Sequence, residues 1–207
     1  GSGIALRSAT SIAEATVVGD LLVPERQAPE VSRCVVAFGS GDGILCREGS
    51  APRIEHSEIR RHAGHGIRAL AGATPDIARC TIVENGGAGI ACEDSGPILA
   101  SSIVWHNLGG SVSAEGPAGP RFDHSSIEGD APPPGDGNIS SPPIFCGWGQ
   151  RSEGWVAPAD PPGGSGTQAD PWRGVASALE AYSLALSPGS PCRGSGQDGV
   201  DMGAAGR

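Results

Sequence analysis

Basic side chains recur in this chain at a fixed distance. Arg33, His56 and Arg79 are each 23 residues apart, and Ser101 and His124 continue the series at 22 and 23. An arginine fork takes a carboxylate bidentately, so such a series can hold the acid groups of an anionic ligand. His56 or Arg79 could also act as the base that removes a proton beside a carboxylate. That chemistry needs a fixed cation or a substitute for one to hold the developing charge. A second series five residues on contains Phe38, Arg61, Glu84 and His106, and it reads equally as a stacked surface charge ladder. Arg33, His56, Arg79, His106 and His124, with Trp105, are the candidate ligand contacts, and His56 and Arg79 the candidate catalytic pair.

Other constellations are weaker. Glu58, Glu84 and Glu128 are scattered over different positions of the repeat, whereas calcium needs several converging oxygens. His62 and His65 are three apart with no third ligand, so no metal site and no cofactor is expected. Gly163-Gly164-Ser165-Gly166 lacks the lysine of a phosphate loop. Trp148, Trp155 and Trp172 sit in loop-rich sequence, where packing is a stronger expectation than sugar stacking. A net charge of −9 and a pI near 4.9 argue against nucleic acid as a partner. No apolar run approaches the ~20 residues of a membrane span. Gly1 to Asp20 lacks the basic head and apolar run of a signal peptide, as a processed or truncated secreted chain would too.

The elements that must position these side chains follow from a repeat. Pro29, Pro52, Pro75, Pro97 and Pro120 are spaced by 23, 23, 22 and 23 residues. An apolar residue stands two after each: Val31, Ile54, Ile77, Leu99 and Phe122. Cys34, Ser57, Cys80, Ser102 and Ser125 stand five after, and Val36, Ile59, Ile82, Val104 and Ile127 seven after. Ile44, Ile67, Ile90 and Val112 stand fifteen after, and Cys46, Ala69, Cys92 and Ala114 seventeen after. Steps of two place each pair on one strand face, and the step from two to five implies a corner. No repeat holds a ten-residue stretch of helical period, and β-branched residues fill the inward columns, so helical repeats are excluded. The 34 glycines and 18 prolines are therefore turn residues of an all-β solenoid with about 22–23 residues per coil.

The run Pro75-Asp76-Ile77-Ala78-Arg79-Cys80-Thr81-Ile82, with Asn85 and Gly89-Ile90 after it, resembles the right-handed parallel β-helix proteins of the pectate-lyase-like superfamily. The likeness is strongest from Pro29 to about Asp130 and weaker through Ile12, Ala15 and Val17. It implies a coil domain over 1–130 and a loop-rich region over 131–207 that adds final coils and caps the end. The segment 171–181 reads either as one short helix, with Asp170 as N-cap and Pro171 at its first position, or as an inserted lid. Asn138-Ile139, Pro143-Ile144-Phe145, Ser190-Pro191 and Asp201-Met202-Gly203-Ala204 are similar to the closing segment of bacterial surface β-helix proteins. The column Gly39, His62, Asn85, Asn107 is expected to form a ladder of side-chain hydrogen bonds. Gly64-His65-Gly66 is similar to a polygalacturonase motif, but paired upstream aspartates and a downstream Arg-Ile-Lys are missing, so His65 is expected to be structural.

Six cysteines is an even count in a secreted-type fold. Coils with one cysteine have two, as within-coil bridges Cys34–Cys46 and Cys80–Cys92 would produce, with Cys146–Cys192 tying the closing segment. The alternative is free cysteine as a small core filler. The resemblance implies a secreted or cell-surface bacterial β-helix, a scaffold or glycan-binding module without catalysis, with Arg33, His56, Arg79, His106, His124 and Trp105 as its candidate glycan contacts. Its alternatives are a polysaccharide lyase or hydrolase acting on acidic glycans, and a stalk or fibre subunit associating end to end through the N-terminal coil.

Overall fold

The computed structural model describes residues 4–7, 10–146, 148–151, 154–156 and 183–204. The expected short helix at 171–181 and Trp172 lie outside them, as does the side chain of Trp155. Three six-stranded parallel sheets wind into a right-handed β-solenoid. The first sheet stacks Ile4–Ala5, Leu21–Val23, Ile44–Cys46, Ile67–Leu70, Ile90–Glu93 and Val112–Glu115. The second stacks Ser11–Ala13, Glu30–Ser32, Arg53–Glu55, Asp76–Ala78, Ile98–Ala100 and Arg121–Asp123. The third stacks Thr16–Val18, Val35–Ala37, Glu58–Arg60, Thr81–Val83, Ile103–Trp105 and Ser126–Ile127.

The register is the one the sequence columns require. Ile44 pairs with Ile67, Ile67 with Ile90 and Ile90 with Val112; Ile54 pairs with Ile77 and Ile77 with Leu99. These inward residues form one buried core with Val36, Ile59, Ile82 and Val104, and Val112 is partly buried at its end. Each rung therefore hands its apolar side chains to the next, and no coil buries its core alone.

Between the second and third sheets the chain turns on one residue. Glu14, Arg33, His56, Arg79, Ser101 and His124 occupy this corner with φ of 54, 49, 49, 52, 50 and 45°. Left-handed backbone costs an L-residue roughly 1–2 kcal/mol. The rung ladder offsets it, because each corner N–H still reaches the next coil: Arg33 to Glu55 O at 3.0 Å, His56 to Ala78 O at 3.0 Å and Arg79 to Ala100 O at 2.9 Å.

The structure does not support the disulfide expectation: all six cysteines stand in it as free thiols. Cys34 and Cys80 follow the corner and donate to the carbonyls of Ser32 (3.2 Å) and Ala78 (3.3 Å). Ser57, Ser102 and Ser125 make the same bond to Glu55, Ala100 and Asp123 in their coils. Cysteine here stands in for serine in a column of small side chains, and Cys46 and Cys92 fill the inward face of the first sheet. The pairs Cys34–Cys46, Cys80–Cys92 and Cys146–Cys192 are not bonded in the structure.

The described C-terminal residues do two things. Asn138 and Ile139 add a partial rung, Asn138 Oδ1 accepting the Ser125 N–H and Ile139 bridging Ser126. Residues 183–204 then lie over the outer face of the third sheet. Phe145, Trp148, Leu184, Cys192 and Met202 bury Val83, Ile103 and Trp105. Gly203 N–H donates to Ser101 O at 2.7 Å, Ala204 N–H to Thr81 Oγ1 at 2.9 Å and Gln197 N–H to Ser101 Oγ at 2.9 Å. No helix of the described residues is long and apolar enough to cross a membrane.

Candidate functional site

The corner column places Arg33, His56 and Arg79 on three consecutive rungs, about 4.8 Å apart. His56 Nε2 lies 3.4 Å from Arg79 Nη1. Burial pushes the His56 pKa down, Arg79 and Arg33 push the same way, and Glu55 pulls it up. The imidazole is therefore neutral at pH 7, an acceptor or base between two guanidinium groups. Beside it, Arg53 donates to Glu55 at 2.6 Å, so the surroundings carry both signs of charge.

The rest of the expected site does not join this trio. Ser101 is buried under the closing segment and interrupts the column. His124, beyond it, packs against Gly137 and lies 3.1 Å from the Asp123 carboxylate. Trp105 is only 6% exposed within the cluster that includes Trp148, so it offers no face to a sugar. His106 is wedged against Trp148, ring centroids 5.9 Å apart, with its N–H on Glu128. Both were candidate glycan contacts; the closing segment covers the face they occupy. Arg61 and Glu84 form a two-bond ion pair, the surface ladder reading of their column.

The ladder column is as expected and also different in one coil. Asn85 Oδ1 accepts the His62 N–H and Asn107 Oδ1 the Asn85 N–H, both at 3.1 Å. Asn85 Nδ2 reaches Ile59 O and Asn107 Nδ2 reaches Ile82 O. His62 plays the same part, Nε2 lying 3.1 Å from Val36 O, while Nδ1 lies 3.1 Å from Asp20 Oδ1. Burial pushes the His62 pKa down, outweighing Val36 O and Asp20, which raise it. His65 is structural: its Nδ1 accepts the Ala88 N–H at 2.9 Å.

Sequence reasoning missed Asp20 and Asp42, which the fold brings to one cavity of about 330 Å³ with Leu22, Ser40, Leu45 and Arg47. Two residues, 19 and 20, join the third-sheet strand to the first-sheet strand there, against six, 38–43, in the next coil. The short turn leaves a recess where a longer one would stack. Among the described residues no three His, Cys, Asp or Glu side chains come together as a cation site.

Residues 1–129 match the family model described as a right handed beta helix region. No curated protein and no solved structure matches the chain.

Proposed function

This chain belongs to the right-handed β-helix family, and we propose that within it the chain is a non-catalytic glycan-binding module of a bacterial secreted or cell-surface protein. The observation carrying this reading is the Arg33–His56–Arg79 corner, which offers one polar group per rung along the axis an extended polymer would follow. A uronate polymer would take a carboxylate on each arginine and a hydroxyl on the neutral His56 nitrogen. Recognition would be local, because the chain's net charge of −9 repels polyanions at a distance. A charge-assisted hydrogen bond contributes about 1.5–3 kcal/mol, so each arginine accounts for roughly a tenfold to hundredfold change in affinity.

One observation favours a second reading, a polysaccharide lyase. His56 is neutral and 3.4 Å from a guanidinium that could neutralise a sugar carboxylate. Among the described residues no cluster of carboxylates gathers beside it to fix a cation, so binding is the stronger reading. Calorimetric titration with oligogalacturonates, beside an ultraviolet assay for unsaturated product in calcium, tests the two. Binding weakened tenfold or more by Arg33→Ala or Arg79→Ala, with no product, supports the module. Product formation that disappears in His56→Ala replaces it with the lyase.

A further inference from the structure

The cavity at the short first turn lies away from the basic corner, on the edge between the third and first sheets. Leu22 and Leu45 are paired on adjacent first-sheet strands with their side chains half-buried on the outer face. On either side that column continues with the small Ala5 and the charged Arg68, so its large apolar side chains are confined to the cavity.

The polar wall is held rigidly. Asp20 accepts the Gly41 N–H at 3.0 Å and lies 3.1 Å from His62 Nδ1. It can do so because the next coil has Gly39 where later coils carry ladder side chains; a Cβ there would collide with the carboxylate and the His62 ring. Asp42 accepts the His65 N–H at 2.8 Å and faces Arg68 Nη1 at 3.7 Å. Each carboxylate already has donors, so a cationic ligand gains little there, while an anionic one meets two negative groups. What remains is lone pairs for hydroxyl donors beside an apolar floor, with the Arg47 guanidinium as a donor on the rim.

We propose that this cavity binds a neutral sugar unit, its C–H face on Leu22 and Leu45 and its hydroxyls on Asp20 and Asp42. The proposal rests on the glycan-binding reading and adds a second subsite of opposite preference to the basic corner. The cavity volume falls at the lower end of small-ligand sites.

Saturation-transfer NMR and calorimetry with gluco-, manno- and galacto-configured neutral tetrasaccharides test it on the full chain. The expected result is binding of at least one of them, weakened tenfold or more by Leu45→Glu and by Asp42→Asn, and unchanged in Arg33→Ala/Arg79→Ala. Leu45 is half-exposed and Asn keeps the acceptor for His65 N–H, so both variants should give the wild-type circular dichroism spectrum. Should Leu45→Glu unfold the chain, Asp42→Asn alone decides. Absence of binding by the wild type, or binding indifferent to Asp42→Asn, overturns the proposal. If uronates still bind the corner in that case, this inference alone falls; if no sugar of either class binds, the parent reading falls with it.

Discussion

Removing the Asn85 side chain should destabilise the solenoid far more than its size suggests. The side chain is fully buried and makes three hydrogen bonds: it accepts from His62 N–H and donates to Ile59 O (3.3 Å) and to Asn107 Oδ1 (2.9 Å). Asn85→Ala leaves those three groups buried with a partner missing. A buried group stripped of its partner costs about 1–3 kcal/mol. Ile59 O and Asn107 Oδ1 can accept elsewhere, so the lower end applies to them, and the sum is about 3–5 kcal/mol. That is a large part of the ~5–15 kcal/mol typical of a whole domain. The assay is urea unfolding followed by far-ultraviolet circular dichroism, with Leu108→Ala as a control because Leu108 is 88% exposed. The midpoint should fall steeply for Asn85→Ala and hardly move for Leu108→Ala. A loss below about 1 kcal/mol for Asn85→Ala would refute the ladder as a source of stability.

Three other outcomes follow from the same structure. Burial pushes Cys46 and Cys80 up to about 12 and Cys92 to about 11, from an ordinary 9.0. The native chain should therefore react at pH 8 with an aromatic disulfide reagent roughly a thousandfold more slowly at Cys46 and Cys80 than an exposed thiol does. After denaturation without reductant it should show six titratable thiols; a mass six hydrogens short would restore the bridges. The folded-state pKa of His62 is depressed, so stability is full above its ordinary 6.5 and falls as pH drops and the unfolded chain protonates first. The slope should not exceed about 1.4 kcal/mol per pH unit for one proton, and His62→Asn, which matches Asn85 and Asn107, should flatten it; an unchanged slope would contradict the assignment. Ile67→Ala should cost about 2–5 kcal/mol, the range for fully buried aliphatics, and a measured loss under 1 kcal/mol would argue against a stacked core.

The solenoid was legible because its core is periodic. Ile44, Ile67, Ile90 and Val112 keep their size class at a fixed spacing, and only in-register stacking makes use of that. The corners were not legible in their conformation. Arg33, His56 and Arg79 carry no local mark of left-handed backbone, since what holds them there is the carbonyl of the next coil. The cysteines were ambiguous because Cys34 and Cys80 alternate with serine in one column; a thiol donating to a carbonyl and a thiol awaiting a bridge look alike in sequence. Trp105 and His106 occupy outward positions, but outward does not mean exposed once residues 183–204 lie across the third sheet. Asp20 and Asp42 are 22 residues apart, close to the repeat. Their meeting depends on a turn four residues shorter than its neighbours, two against six, which only the register reveals.

The central claim is that glycan binds along the Arg33–His56–Arg79 corner. Amide chemical-shift mapping of the isotopically labelled chain during titration with an oligogalacturonate tests it most directly. Shifts should concentrate at residues 33, 56 and 79 and their rung neighbours, with the saccharide recovered uncleaved. No shifts at any saturating concentration, or shifts that spare all three corner residues, would contradict it.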